Sequence, residues 1–247
     1  EGQVEGYLVD QWQLWATRNQ VQLTLTATNW ADAQKMVARG DADVIDMIYR
    51  TPAREPLYDF SAPYADLPVA IYTDTSIGGI SGVTTIKGFQ IGVQDGDACI
   101  DQLHANGITT LQKYRNYTDL IAAAQRQEIK VFCLDEGPAN FYLYKAKAQG
   151  DFRKAFELYK GQFHRAVRKG NVDTLRLVEE GMKAITPDEE AALRKKWFGA
   201  PLYLDEYRVY VGWSLLGLLS LGGLLLLWNM TLRRQVIAST TTLKQTL

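Results

Sequence analysis

A charge-free run of about 22 residues, 209–230, constrains this chain more than any other feature. At about 1.5 Å per residue, a helix of that length crosses the roughly 30 Å hydrocarbon layer of a membrane. Trp213 and Trp228 suit the aromatic belts at the two interfaces, and Arg233 and Arg234 beyond the run favour the cytoplasmic side. A buried core helix is the alternative, but core helices rarely continue this far without a charge. We therefore predict a receptor-like protein with one transmembrane helix and a large extracytoplasmic N-terminal region.

Without the apolar run and the tail after it, roughly 200 residues remain, which is long enough for two small lobes or one large domain with a real core. The formal net charge of -1 argues against a nucleic-acid partner and favours a small ligand, because no long basic face is available for phosphates. The chain opens on polar residues, so an exported protein of this kind would have lost its leader or been excerpted. We expect sequence to be missing at both ends.

Two cysteines, Cys99 and Cys133, leave two readings open. An extracytoplasmic location would let them pair and close a loop of about 34 residues, whereas two small buried hydrophobic residues are the alternative. The two histidines, His104 and His164, lie far apart and outside any cluster with the spacing of metal ligands. We predict no metal site and no cofactor.

Alternating strand and helix patterns predict an α/β fold. In the first part of the chain, helical spacing falls at 8–15 and after Asn29, and strand patterns fall at 21–25, 43–48 and 69–72. From 89 onwards, predicted strands at 89–94, 110–114 and 130–134 alternate with predicted helices at 98–104, 118–125 and 138–147. This alternation favours a parallel sheet with right-handed crossovers.

A strand pattern at 163–167 and two capped helices, starting at Asn171 and at the capping box of Thr186 and Glu189, indicate a return to the first lobe. We therefore predict a discontinuous first lobe at 1–75 and 162–200 and a second lobe at 76–161. A linker at 201–208 leads to the membrane helix. Apolar spacing over 231–247 suits the start of a coiled-coil signalling helix, and a solvated juxtamembrane helix is the alternative.

Ligands of such sheets bind at the carboxyl ends of the strands. Asp97 and Asp135 each follow a predicted strand of the second lobe, and in the common 2-1-3 strand order these two ends are neighbours. Asp135 is placed to receive a ligand cation; Asp97 can do likewise or can simply cap a helix. The 2-1-3 order would also bring Cys99 near Cys133.

Arg54 is the complementary candidate in the first lobe. It follows a strand and sits in a predicted short helix that begins at Thr51 and stops at Pro56. Its guanidinium could grip a carboxylate bidentately, forming a zwitterion clamp with an aspartate of the other lobe. The alternative is a local ion pair with Glu55, Asp59 or another nearby acid.

Six segments resemble the type II periplasmic solute-binding family, which includes polar amino-acid receptors. They are GYLVD at 6–10, GDADVI at 40–45, TPAR at 51–54, DFSAPY at 59–64, LDE at 134–136 and AVRKGN at 166–171. The resemblance implies a two-lobed periplasmic-binding-protein type II fold followed here by one transmembrane helix. It assigns the α-carboxylate of a ligand to Arg54 and its α-amine to Asp135. The full predicted ligand set is Arg54, Asp135, Tyr49, Thr51, Asp97 and Ala98.

Three departures from the family pattern stand out. Tyr49 lies where small hydroxyl residues often stand, and Ala98 lies where a threonine is frequent. Family lobes also open with a strand before the Gly6 region, and this chain starts too late to contain it. A lobe without that strand would be poorly paired, so we expect an excerpt.

The segments around Cys99, Cys133 and His164 are similar to membrane-anchored variants that head bacterial signalling proteins, more those of cyclic-di-GMP enzymes than those of histidine kinases. We expect the segment itself not to be an enzyme, with a cyclase, phosphodiesterase or kinase as the output domain. The resemblance implies a sensor in the bacterial inner membrane, with a periplasmic ligand domain and a cytoplasmic output beyond Leu247. Together with the coiled-coil spacing, it leads us to expect a homodimer. Two alternatives are a tethered binding protein for transport and a dehydratase-like enzyme. In the latter, Asp97, Asp135, Glu136 or His164 would do acid–base work; otherwise we predict no catalytic residues.

Overall fold

The computed structural model describes residues 4–199 and 204–245, the helical stretches 204–209 and 233–245 by their backbone alone. The chain divides into two compact units, 1–190 and 191–247. The helices are α1 (Tyr7–Asn19), α2 (Trp30–Arg39), α3 (Ala98–Ala105), α4 (Tyr117–Gln125), α5 (Glu136–Lys145), α6 (Val172–Lys183), α7 (Pro187–Phe198) and α8 (Leu204–Gln245). The strands are β1 (Val44–Tyr49), β2 (Tyr58–Phe60), β3 (Ala65–Asp74), β4 (Ile91–Gln94), β5 (Leu111–Tyr114), β6 (Val131–Asp135) and β7 (Phe152–Arg168). A short 3-10 helix spans Val83–Ile86.

The strands form one sheet in the order β1-β7-β3-β6-β4-β5, and β2 also pairs with β7. β4 runs parallel to β5 and β6, whereas β7 is antiparallel to β1, β2 and β3. The long strands β3 and β7 continue from the parallel half of the sheet to the half that holds β1 and β2. The fold is therefore a two-lobed α/β structure whose lobes share two strands.

Each lobe has its own apolar core. In the second lobe, side chains such as Val93, Leu103 and Cys133 pack on one face of the sheet, and Phe132 and Leu120 pack on the other. Burial on both faces explains the near-continuous apolar run of β6. The first lobe has two smaller clusters, one around α2, β1 and β2 and one between α1 and α6.

The parallel part of the prediction is confirmed. Strands β4, β5 and β6 lie in the order β5-β4-β6, which is the 2-1-3 order, and each predicted helix of this lobe is present. Cys99 and Cys133 form a disulfide that joins the start of α3 to β6. Pairing is thus the correct one of the two readings left open by the sequence.

Three local predictions differ from the structure. Residues 21–25 do not form a strand, because no strand of the described residues pairs with them. The predicted strand at 163–167 is only the end of the 17-residue β7. The predicted short helix from Thr51 is a run of turns over 52–57 instead. The exact lobe boundaries stay a prediction, and the one at 161/162 falls inside the continuous strand β7.

The second unit contains the 42-residue helix α8. Its segment Tyr210–Leu232 is long and apolar enough to cross a membrane, close to the predicted 209–230. The helix already begins at Leu204, inside the predicted linker. The side chains of the predicted signalling helix beyond Leu232 lie outside the described residues, so its coiled-coil character stays a prediction.

Candidate functional site: the cleft between the lobes

Arg54 is positioned by the turns that follow β1. The N–H groups of Arg54 and Glu55 both donate to the carbonyl of Thr51, and this folding-back directs the Arg54 side chain into the molecule, where it is 5% exposed. Its guanidinium donates at 2.7 Å to the carbonyl oxygen of Tyr49. It also donates at 2.7 Å to the carbonyl oxygen of Gly96, in the β4–α3 loop of the other lobe. Arg54 therefore links the two lobes.

The predicted alternative for Arg54, a local ion pair, is wrong for the described residues. Glu55 instead pairs with Arg50 at 2.9 Å, and Asp59 pairs with Lys169 at 2.7 Å. Burial lowers the pKa of Arg54, because the charged form loses water. An inward-facing buried guanidinium is the geometry that recognition of an anionic ligand group requires.

The Gly96 carbonyl accepts three hydrogen bonds from the first lobe. Besides Arg54, the indole Nε1 of Trp30 donates at 3.1 Å and the amide of Gln34 donates at 3.0 Å. Trp30 and Gln34 are four residues apart and therefore share one face of α2. Gly96 itself has φ +77°, a conformation that favours glycine, and a Cβ there would lie 2.7 Å from Nε2 of Gln34. This loop is shaped for close contact with α2.

Asp135, at the carboxyl end of β6, forms a second link between the lobes. Its Oδ1 accepts a hydrogen bond from the Tyr49 hydroxyl at 2.9 Å, and the residue is 7% exposed. Burial, together with the nearby carboxylate of Asp97, raises the pKa of Asp135 to about 7. Burial also raises the pKa of the Tyr49 phenol, so that this group is a neutral donor at physiological pH.

The ring of Tyr49 is held by other aromatic residues on the wall of the cleft. It stacks on Phe163 with centroids 4.8 Å apart and meets Tyr159 edge-on at 6.1 Å. Gly161 leaves room for the ring, since a Cβ at that position would lie 2.5 Å from it. The buried hydroxyl of Tyr159 has no hydrogen-bond partner among the described residues. This hydroxyl is therefore available to form a hydrogen bond with a ligand in the cleft.

Asp97, Ala98 and Thr51 complete the predicted set. Asp97 caps α3 by accepting from the Cys99 N–H at 2.7 Å, and it also accepts from the Tyr117 hydroxyl at 3.3 Å. Burial raises the pKa of Asp97. Ala98 is the buried first residue of α3, 2% exposed.

The hydroxyl of Thr51 donates to the carboxylate of Asp101 at 2.9 Å, which makes another bridge between the lobes. Asp101 lies one helical turn after Asp97, the N-cap of α3. Both acidic residues raise the pKa of Arg54 and so partly offset the effect of burial. The six predicted ligand residues thus lie at or next to the contacts between the two lobes, and their part in ligand binding stays a prediction. Sequence reasoning missed Trp30, Gln34, Asp101, Tyr117 and the β7 aromatics, although the four-residue spacing on α2 and α3 was visible.

Two further acid–base candidates have other partners. Glu136 pairs with Lys154 at 2.9 Å, and the buried Nδ1 of His164 lies 2.7 Å from the carbonyl oxygen of Ser61. His104 is exposed on α3. Within the residues that the structure describes, no group of three or more histidine, cysteine or acidic side chains is arranged to hold a metal ion.

Several solved structures share this fold. An ancestral arginine-binding protein bound to glutamine is 21% identical, with a TM-score of 0.71 over 81% of this chain and 90% of that one. A histidine kinase sensor domain with similarity to periplasmic binding proteins is 17% identical, with a TM-score of 0.72 over 78% and 86%. The substrate-binding protein of an amino-acid ABC transporter is 22% identical, with a TM-score of 0.70 over 81% and 90%.

At these identities the likeness establishes the two-lobed fold. No curated protein shows a match to the chain. The sequence profile that matches is broader and covers residues 1–200, which include both lobes and every residue of the cleft. The chain therefore belongs to the bacterial extracellular solute-binding proteins, family 3.

Proposed function

We propose that the domain is an extracytoplasmic sensor that binds an amino acid between its lobes. Lobe closure would then act through the membrane helix on a cytoplasmic output domain, for which we propose cyclic-di-GMP turnover. The arginine-binding and amino-acid transporter relatives support an amino-acid ligand, and the histidine kinase sensor domain supports a sensory role. The apolar segment Tyr210–Leu232 supports an anchor in the bacterial inner membrane, with the lobes in the periplasm.

The observation that carries the proposal is the convergence of Arg54 and Asp135. They belong to opposite lobes, and both are nearly fully buried. Both also contact Tyr49, because Arg54 donates to the Tyr49 backbone carbonyl and Asp135 accepts from the Tyr49 hydroxyl. A buried guanidinium and a buried carboxylate that both contact one residue offer partners for the two charged groups of a zwitterion. A ligand that contacts both lobes binds the closed form better than the open one, which is the condition for shifting their equilibrium.

The proposal is tested with the whole 247-residue chain in lipid nanodiscs. Thermal unfolding is followed with each standard amino acid, and at least one should stabilise the domain, by about 2.7 kcal/mol at a concentration 100 times Kd. Arg54→Ala should abolish this stabilisation. Arg50→Ala, which removes an exposed arginine paired with Glu55, should preserve it. Equal stabilisation of the Arg54→Ala variant would reject the clamp.

A tethered binding protein for transport is the second candidate, favoured by the likeness to an ABC transporter component. The coding sequence that follows Leu247 separates the two roles. A sensor requires an output domain there, whereas a tether does not. For the sensor we also propose a homodimer joined through the predicted signalling helix at 231–247, and cross-linking in membranes would test it.

A further inference from the structure

We propose that Tyr49 is an internal competitor for the ligand, whose hydroxyl takes the place of the ligand's ammonium group on Asp135 and thereby sets the affinity of the cleft. This inference rests on the proposed function, since it concerns the same site. It makes Tyr49 a specificity-determining residue and not only a part of the wall.

The first argument is the position of the phenol. Phe163 stacks on the ring and Gly161 gives it room, so the ring is fixed with its hydroxyl 2.9 Å from Oδ1 of Asp135. A primary ammonium group would have to donate its hydrogen bond to this same carboxylate. Tyr49 is only 6% exposed and Asp135 only 7% exposed, so a ligand has little access to this carboxylate while the Tyr49 side chain stays in place.

The second argument is that the other half of the clamp is also engaged by protein groups. The guanidinium of Arg54 donates to the Gly96 carbonyl of the opposite lobe, which Trp30 and Gln34 also contact. Protein hydrogen bonds alone therefore join the lobes at both clamp residues. A ligand gains charge-assisted bonds at Arg54 and Asp135 only after it breaks these bonds, and its apparent affinity falls accordingly.

The third argument is the Tyr159 hydroxyl, which a displaced Tyr49 ring would expose to the ligand. The Tyr159 hydroxyl is buried, has no hydrogen-bond partner among the described residues, and belongs to the ring that meets Tyr49 edge-on. A ligand that moves the Tyr49 ring would bring polar atoms to this wall. The exchange would then satisfy a group that the arrangement of protein side chains leaves unpaired.

The chain supplies a matched control for the Tyr49 hydroxyl. The Tyr64 hydroxyl donates to the carboxylate of Asp46 at 2.6 Å, which is the same phenol–carboxylate bond. Both of those residues lie in the first lobe, at β1 and just before β3, so their bond does not cross the cleft. Removing either hydroxyl with a Tyr→Phe substitution leaves the ring and its packing in place.

The experiment measures amino-acid affinity by calorimetry for the whole chain in nanodiscs. Tyr49→Phe frees the acceptor on Asp135 and should tighten binding about 5- to 20-fold, the worth of one hydrogen bond. Tyr64→Phe should bind like the wild type. Unchanged or weaker binding by Tyr49→Phe would overturn the inference, because it would mean that the hydroxyl supports the bound state or takes no part.

A second readout needs no ligand. Spin labels at Lys35→Cys, on α2, and Lys87→Cys, after the 3-10 helix of the second lobe, report the distance between the lobes. Without amino acid, Tyr49→Phe should lengthen or broaden the distance distribution, and Tyr64→Phe should not. An unchanged distribution would overturn the inference. If no amino acid binds any variant but the distribution still broadens, the proposed ligand class fails while the role of Tyr49 in joining the lobes stands.

Discussion

Gly161 and Tyr49 fit against each other across the neighbouring strands β7 and β1. A Cβ at Gly161 would lie 2.5 Å from Cε1 of Tyr49 and 2.8 Å from two further ring atoms. Tyr49 and Phe163 are register partners in the β1–β7 pairing, so the ring lies over the strand that contains Gly161. The absence of a side chain at 161 is thus what allows a large residue at 49.

We predict that Gly161→Ala destabilises the domain by about 1 to 3 kcal/mol, because the added methyl group overpacks the wall of the cleft. In a Tyr49→Ser background the same substitution should cost much less, so the two effects should be strongly non-additive. Thermal unfolding of the four variants in nanodiscs measures this coupling. Gly150→Ala is the control, because no atom lies within 4 Å of a Cβ there. Additive effects would show that the ring does not occupy this space.

The sequence predicted the second lobe well because its elements are short and regular. Alternation of strands and helices between Phe89 and Lys147, together with the usual 2-1-3 order, was enough to place Asp97 near Asp135. The full length of β7 was harder to predict. Its register against β3 shifts twice, between Val69 and Ala70 and between Ile71 and Tyr72, and such bulges interrupt the period-two pattern that identifies a strand.

The candidate site was predictable in its charged residues and not in its backbone contacts. Arg54 and Asp135 follow strands that point to one edge of the fold, and the family resemblance singled them out. The acceptor role of the Gly96 carbonyl cannot be inferred from the residue type, since every residue has a backbone carbonyl. The position of Tyr49 over Asp135 depends on strand register, which a one-residue slip would reverse.

The disulfide should be a major source of stability. Cys99–Cys133 closes a loop of 34 residues within the second lobe, and bonds of this kind contribute about 2 to 4 kcal/mol. We expect reduction to lower the unfolding temperature of the wild type and to leave a Cys99→Ala/Cys133→Ala variant unaffected. Mass spectrometry confirms that the thiols are free. A reduced wild type as stable as the oxidised protein would contradict this assignment.

The stability of the domain should depend on pH through Asp135. Its pKa is about 7 in the folded protein and near 4 in the unfolded chain, so the folded state binds the proton more tightly. The contribution of this group is therefore fully present below about pH 4 and is lost as the pH rises to about 7. Asp135→Asn should remove that part of the pH dependence, on the order of a few kcal/mol. Thermal unfolding between pH 4 and 8 would refute the assignment if both profiles had the same slope.

The charge balance of the cleft predicts a preference for cationic ligands. Arg54 interacts electrostatically with three acidic side chains, those of Asp97, Asp101 and Asp135. Above pH 7, where Asp135 is ionised, these acids outnumber the guanidinium, and a zwitterion adds no net charge to the set. A ligand with a further positive charge would offset the excess, at about 1 kcal/mol or more for a partly buried pair. We therefore expect arginine to bind about 10-fold more tightly than its neutral isostere citrulline.

Asp101 provides the sharpest test of this preference. Asp101→Asn keeps an acceptor for the Thr51 hydroxyl but removes one negative charge, so the arginine-to-citrulline affinity ratio should fall about 3- to 10-fold. Asp151→Asn, at an exposed site in the turn before β7, should leave the ratio unchanged. Calorimetry in low and high salt adds a second check, because buried pairs are screened less than exposed ones. Equal affinities for the two ligands in the wild type would show that the extra carboxylates have structural roles only, Asp101 in joining the lobes through Thr51 and Asp97 in capping α3.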